Sequence, residues 1–233
     1  MKNRIVNFLI AFICILSTIL VLSHLPDNVP VHFDQYGTVD RWGSKYELLL
    51  GSAFLILMEV VGELCSYSFR KKLKCATDEK KIKELTSDLK IIDIVFTILY
   101  VFLLAMNCMT LHMSYSGIDN QTLQSNADIL KVIVVLMGIM MVIMGSYMPK
   151  IHRNSVFGFR IGFTMYNDNT WQKSNRIGGI AMIIAGFVTA LFGVIFDGLV
   201  GIFVMLGMLF AFTFALILVA YFIYKDEKRK EGN

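Results

Sequence analysis

Residues 25–45, LPDNVPVHFDQYGTVDRWGSK, form a polar, proline-bearing stretch between two apolar spans, and the sidedness of the chain is read from it. Pro26 and Pro30 fix their own φ and bias Leu25 and Val29 toward extended backbone, so the preceding helix is expected to stop near His24. Tyr36-Gly37 and Trp42-Gly43 read as two turns. The stretch also holds His32, Asp34 and Asp40, whose atoms can bind a cation or hydrogen-bond a peptide. No metal-site spacing accompanies them. A loop whose polar groups hold its own turns, with Trp42 at headgroup level, accounts for the same residues.

The chain around this stretch has 233 residues, of which 56% are hydrophobic and only 17% charged. With a mean hydropathy of +0.62 it reads as an integral membrane protein. Cys14, Cys65, Cys75 and Cys108 lie apart with no C-x-x-C pair, so neither a disulfide nor a zinc site is expected, and no cofactor. Lys2 and Arg4 precede the first apolar run, and no small-x-small site follows it. An uncleaved first span is the expectation.

Six apolar runs are long enough to cross a bilayer: residues 5–23, 48–68, 91–113, 129–148, 177–196 and 199–224. Segment 70–90 is the most basic. Within it Thr77 reads as a helix cap, Asp78 and Glu79 as a first turn, and Ile82, Leu85 and Leu89 share one face, predicting an amphipathic helix that leads into the third span. Two basic residues precede the first span, eight lie in 70–90, five in 149–176 and four in the tail. Thus 19 of the 22 lysines and arginines fall on one side, which predicts an all-α, six-span protein with both termini in the cytoplasm. The expected organisation is a two-span N-terminal domain (1–68, extracellular loop 25–45), a basic linker (69–90) and a four-span domain (91–233, cytoplasmic loop 149–176). The net charge of +4 requires no nucleic-acid partner, because basic cytoplasmic loops face anionic lipid.

Gly138 and Gly145 in the fourth span, and Gly179, Gly186 and Gly193 in the fifth, recur every seven residues and are expected to let neighbouring backbones approach. Met137, Met140, Met141 and Met144 read as adaptable core.

Two motifs carry a family resemblance. The first is L-P-x-x-V-P-x-H-F at residues 25–33, with Asp40 and the G-S-K at 43–45; the second runs from M-P-K-I at 148–151 through Asn154, Gly158, Arg160, Thr164, Trp171, Lys173 and Arg176. Together they resemble the SdpI-like bacterial membrane proteins, with the short domain of unknown function that precedes the SdpI domain. The chain departs from the family pattern at Ile161, Gly162 and Phe163 and at Ser174-Asn175. The resemblance implies a non-catalytic immunity protein against a secreted antimicrobial peptide toxin. It also implies signal transduction in which a cytoplasmic transcriptional repressor is held at the membrane.

On that implication the toxin-facing candidates are Pro30, His32, Asp34, Tyr36, Asp40 and Trp42. Candidates for the cytoplasmic partner are Asn154, Gly158, Arg160, Trp171, Lys173 and Arg176; a solvated, topology-setting loop explains the same charges. Gly158 would permit backbone closed to other residues, and Asn154 would accept from nearby backbone donors. Glu59 and Glu63 share a face of the second span and are intramembrane suspects. Glu63 is expected to reach toward Arg70. Glu59 would pair with a polar group such as Asn107, or carry protons in a transporter or exporter of a peptide or small solute. No H-E-x-x-H, G-x-S-x-G or P-loop occurs, so no enzyme is expected.

Overall fold

The computed structural model describes residues 2–34, 38–118, 126–154, 156–196 and 198–231. Its helices are α1 (Lys2–Leu22), α2 (Leu49–Cys75), α3 (Glu79–Ser116), α4 (Asn126–Tyr147), α5 (Asp168–Ile195) and α6 (Gly198–Glu231). Each predicted span falls mainly within one of them, and all six are long and apolar enough to cross a membrane. Large apolar side chains such as Phe203, Phe210 and Phe214 point outward, as lipid-facing positions do.

The stretch that opens the sequence reading forms a hairpin. Strands β1 (Asn28–Phe33) and β2 (Val39–Ser44) pair antiparallel, with Pro30 opposite Trp42 and irregular register on either side of His32. Trp42 and Gly43 therefore lie within a strand, and Tyr36-Gly37 falls outside the described residues. A second difference concerns the basic segment. The amphipathic helix is the N-terminal part of one continuous α3, and Asp78, not Thr77, caps it by accepting from the Lys81 N–H at 3.0 Å. Only residues 76–78 separate α2 from α3.

α3 packs against α1 and α2, whereas α4, α5 and α6 form a second group. Within that group the spaced glycines bring α4 and α5 into backbone contact: a Cβ on Gly138 would stand 2.6 Å from the Gly186 carbonyl oxygen, and one on Gly145 2.7 Å from that of Gly179. Met141 packs beside them with Ala185, Met205 and Met137. The two groups meet at the basic end, where Phe69, Ile91, Ile92 and Val95 enclose Ile151 and Trp171. At the opposite end the hairpin seats Val29 and Leu25 on Leu22, Leu48 and Leu111.

Candidate functional site

The hairpin is held from below by residues the functional candidates did not include. Lys45 donates to the Leu25 carbonyl at 3.1 Å and pairs with Asp27 at 3.1 Å, closing the base of the strands. Arg41 pairs with Glu47 at 3.0 Å. Among the toxin-facing candidates, His32 and Asp40 come together on the exposed side, with Nδ1 2.6 Å from a carboxylate oxygen. Trp42 is also exposed. Asp34 accepts from the Thr38 N–H at 2.8 Å, tying the end of one strand to the start of the other, while Pro30 is buried against the end of α3 near Gly117. Tyr36 lies outside the described residues. The hairpin thus offers one titratable pair and one indole on a fixed platform.

Below it, Thr18 and Ser52 hydroxyls meet at 2.7 Å, and Asn107 donates to Thr18 at 3.0 Å. Asn107 therefore bonds α1 rather than Glu59. A separate polar cluster sits nearer the basic end. There Arg4 and Arg70 both pair with Glu63, Arg4 at 2.8 Å, while Ser66 donates to Asp93 at 2.7 Å and Thr97 to Asn7 at 2.8 Å. Glu59 borders this cluster with Tyr100. Between the two clusters Ile10, Ala11, Leu55 and Tyr100 form a buried, mainly apolar layer.

At the basic end the segment between α4 and α5 has a defined fold, because its polar side chains are spent on its own backbone. The Asn154 carboxamide oxygen accepts from Val156 and Phe157 N–H groups at 2.7 and 2.9 Å. Gly158 has φ 118°, a left-handed conformation that disfavours side chains, and a Cβ there would meet Asn175 and the Trp171 ring. Asn175, one of the departures from the family pattern, is fully buried; it accepts from the Phe159 N–H at 2.7 Å and donates to the Trp171 carbonyl at 3.1 Å. Asn167 and Thr170 form a capping box that starts α5.

Of the candidates for a soluble partner, Trp171 is 1% exposed and donates its indole N–H to the Ile151 carbonyl at 2.9 Å. It is a structural anchor with no surface to offer. Asn154 is likewise buried. Lys173 pairs with Glu227 of α6 at 2.8 Å, and Arg160 and Arg176 are exposed. Nearby, Tyr166 donates to Glu231 at 2.5 Å, and that bond holds its hydroxyl above the ordinary phenol range.

The contact that sequence reading did not anticipate is Asp88 with His152, 64 residues apart. Asp88 is 3% exposed, and one of its oxygens accepts the His152 backbone N–H at 3.0 Å while lying 2.9 Å from Nδ1 of the ring. A lone acidic residue on the buried face of an amphipathic helix was the available signal. Asp88→Ala leaves a partly buried N–H without its acceptor, at a cost of about 1–3 kcal/mol. Amide hydrogen exchange across residues 151–167 should accelerate in that variant, with α4 and α5 unchanged; unchanged loop exchange would show that Trp171 alone holds the segment.

Comparison with known proteins fits this architecture. Residues 150–224, the folded loop with α5 and most of α6, match the SdpI/YfhL protein family. Residues 9–57, from α1 through the hairpin into α2, match a domain of unknown function (DUF1648). The Immunity protein SdpI of Bacillus subtilis (strain 168) is 22% identical over 235 residues, covering 100% of both chains. No solved structure matches the chain. With both regions in this order on a six-span chain, the protein is a multi-pass bacterial membrane protein that carries an SdpI/YfhL-like region behind a DUF1648-like one.

Proposed function

We propose that this chain is a non-catalytic membrane immunity protein that protects its cell from a secreted peptide toxin. The observation that carries the reading is the end-to-end alignment with an immunity protein. The basic end faces the cytoplasm in this reading, on the strength of the 19 of 22 basic residues gathered there, and the hairpin faces outward. A cationic, amphipathic peptide suits that outer face: Asp40 beside His32 attracts charge, and Trp42 offers an apolar contact on strands that need no rearrangement. The cytoplasmic end meets a soluble partner, a transcriptional repressor if signalling accompanies immunity.

Transport is the competing reading, and the apolar layer of Ile10, Ala11, Leu55 and Tyr100 counts against it, because it separates the two polar clusters of α1–α3.

Survival of a sensitive host expressing the protein, challenged with a panel of secreted membrane-active peptides, tests the proposal. His32→Ala combined with Asp40→Ala removes the exposed pair without disturbing Val29 or Lys45 beneath. Survival against the matching peptide is expected to fall at least tenfold at unchanged expression. Full protection by the double variant would take recognition away from the hairpin, and no protection by the parent chain against any peptide would remove immunity itself.

A further inference from the structure

We propose that the elbow between α2 and α3 is the docking surface for an acidic segment of a soluble protein; this rests on the reading that the basic end lies in the cytoplasm and meets such a partner.

Lys71, Lys72 and Lys74 at the end of α2, and Lys80, Lys81 and Lys83 at the start of α3, are all exposed. None of the six has an ion pair among the described residues. Of the acidic residues at the elbow, Asp78 has a carboxylate oxygen engaged in capping α3, Glu79 is exposed beside it and Glu84 lines the second cleft, so the lysines outnumber them two to one. At the same end Arg70, Arg153, Lys173 and Lys230 are each paired with a carboxylate of the chain, while Lys225, Lys228 and Arg229 of the tail, like the elbow lysines, have no ion pair among the described residues. Six unpaired charges at one bend attract a partner rich in carboxylates.

The height of the elbow favours protein over lipid. Lys90, which marks the start of the apolar span, lies twelve positions beyond Asp78, and at about 1.5 Å per residue this covers about 18 Å along the helix. The polar layer of a bilayer leaflet is about 5–7 Å deep, and surface charge is screened within about 8 Å at physiological salt. Lys80 and Lys81 at the tip therefore stand above the headgroup layer, about 13–15 Å along α3 from Lys90, whereas Lys71, Lys72 and Lys74, three to six residues past the second span, lie nearer to it.

The elbow also has somewhere to put an apolar side chain. A cleft of about 550 Å³ opens between it and the folded loop, with Phe69 and Leu85 among its apolar lining and Lys72, Lys81 and Arg153 around it. A second, of about 450 Å³, lies across Lys81 and Leu85 and reaches Lys80. An acidic segment with an occasional leucine satisfies both features: carboxylates meet the lysines, and the leucine covers the part-exposed Leu85 and Ala76. The Asp88–His152 contact keeps the far wall of the cleft in place.

The test uses the full chain in nanodiscs of neutral phosphatidylcholine. The probe is a fluorescent synthetic peptide of glutamate pairs separated by single leucines. Three proteins are compared: the parent, an elbow variant (Lys72→Gln, Lys80→Gln, Lys81→Gln) and a tail variant (Lys225→Gln, Lys228→Gln, Arg229→Gln). The elbow variant is expected to bind at least tenfold more weakly than the parent, the tail variant within twofold of it, and a peptide with serine in place of leucine more weakly to the parent. Equal losses in the two variants, or no binding by the parent, overturn the proposal. So does protection of the elbow lysines from acetylation by phosphatidylglycerol discs without peptide, which would make the patch a headgroup site. Cells carrying the elbow variant are expected to keep full protection from toxin, since the hairpin is untouched. Failure of docking thus leaves the immunity reading standing, and failure of immunity leaves the docking result to be judged on its own.

Discussion

Gly138→Leu is expected to abolish the folded state of the second helix group, with little or no monodisperse protein recovered after solubilisation. At this crossing the nearest atoms to an added Cβ are the Gly186 carbonyl oxygen at 2.6 Å and the Ala190 nitrogen at 2.7 Å, both backbone. No side-chain rotation relieves them, so α4 and α5 must separate along the interface that also carries Gly145 against Gly179. Overpacking a well-fitted core costs about 1–3 kcal/mol, occasionally more, and a backbone clash at a helix crossing belongs at the upper end. Gly207→Ala is the matched control. Its Cβ would meet nothing within 4 Å, and in mid-helix it is expected to be neutral or to stabilise by up to about 1 kcal/mol. Size-exclusion profiles and melting temperatures of the two variants in the same detergent decide the matter. A monodisperse Gly138→Leu protein melting like the parent would show that the helices are not in backbone contact.

Trp171→Ala should destabilise the protein by about 3–5 kcal/mol, the range for emptying a large aromatic site. The indole fills the joint where α2, α3 and α5 meet, against Phe69, Ile91, Ile92 and Val95, and its N–H is the donor to the Ile151 carbonyl. Trp171→Phe keeps much of the apolar contact and forfeits that bond, so an intermediate loss of about 1–3 kcal/mol is expected. Thermal melts should rank parent, Phe and Ala in that order. An Ala variant as stable as the parent would exclude Trp171 as the joint between the two helix groups. The same burial changes how a partner-capture experiment is read: loss of capture in Trp171→Ala would report a loosened loop, whereas the exposed elbow lysines can be altered without that consequence.

The hairpin shows how far local reading extends. Pro26 and Pro30 end α1 and extend the chain as expected, since a proline's φ is set by its own ring. Trp42-Gly43 was read as a turn because glycine after a large residue commonly marks one, and strand pairing with Val29 and Pro30 overrides that preference. Asn154 and Gly158 were legible for the same reason as the prolines: what each does depends on its own backbone and its near neighbours. Trp171 was not. An indole among basic residues looks like a surface platform until the apolar faces of α2 and α3 close over it.

The six spans, the gathering of basic residues at one end, the polar stretches between spans and the glycine spacing of α4 and α5 were determined by the sequence alone. Each is a one-dimensional property, set by run length, charge count or helical period. Only the tertiary structure decided that Asn107 meets Thr18 and not Glu59, that Asp88 reaches across to His152, and that Asn175 turns inward to hold Phe159. The physical reason lies in the solvent. In a lipid environment apolar side chains face outward as readily as inward, so hydrophobicity no longer says which face of a helix is buried. The rotation of each helix is chosen instead by close packing and by the partners that buried polar groups find on other helices.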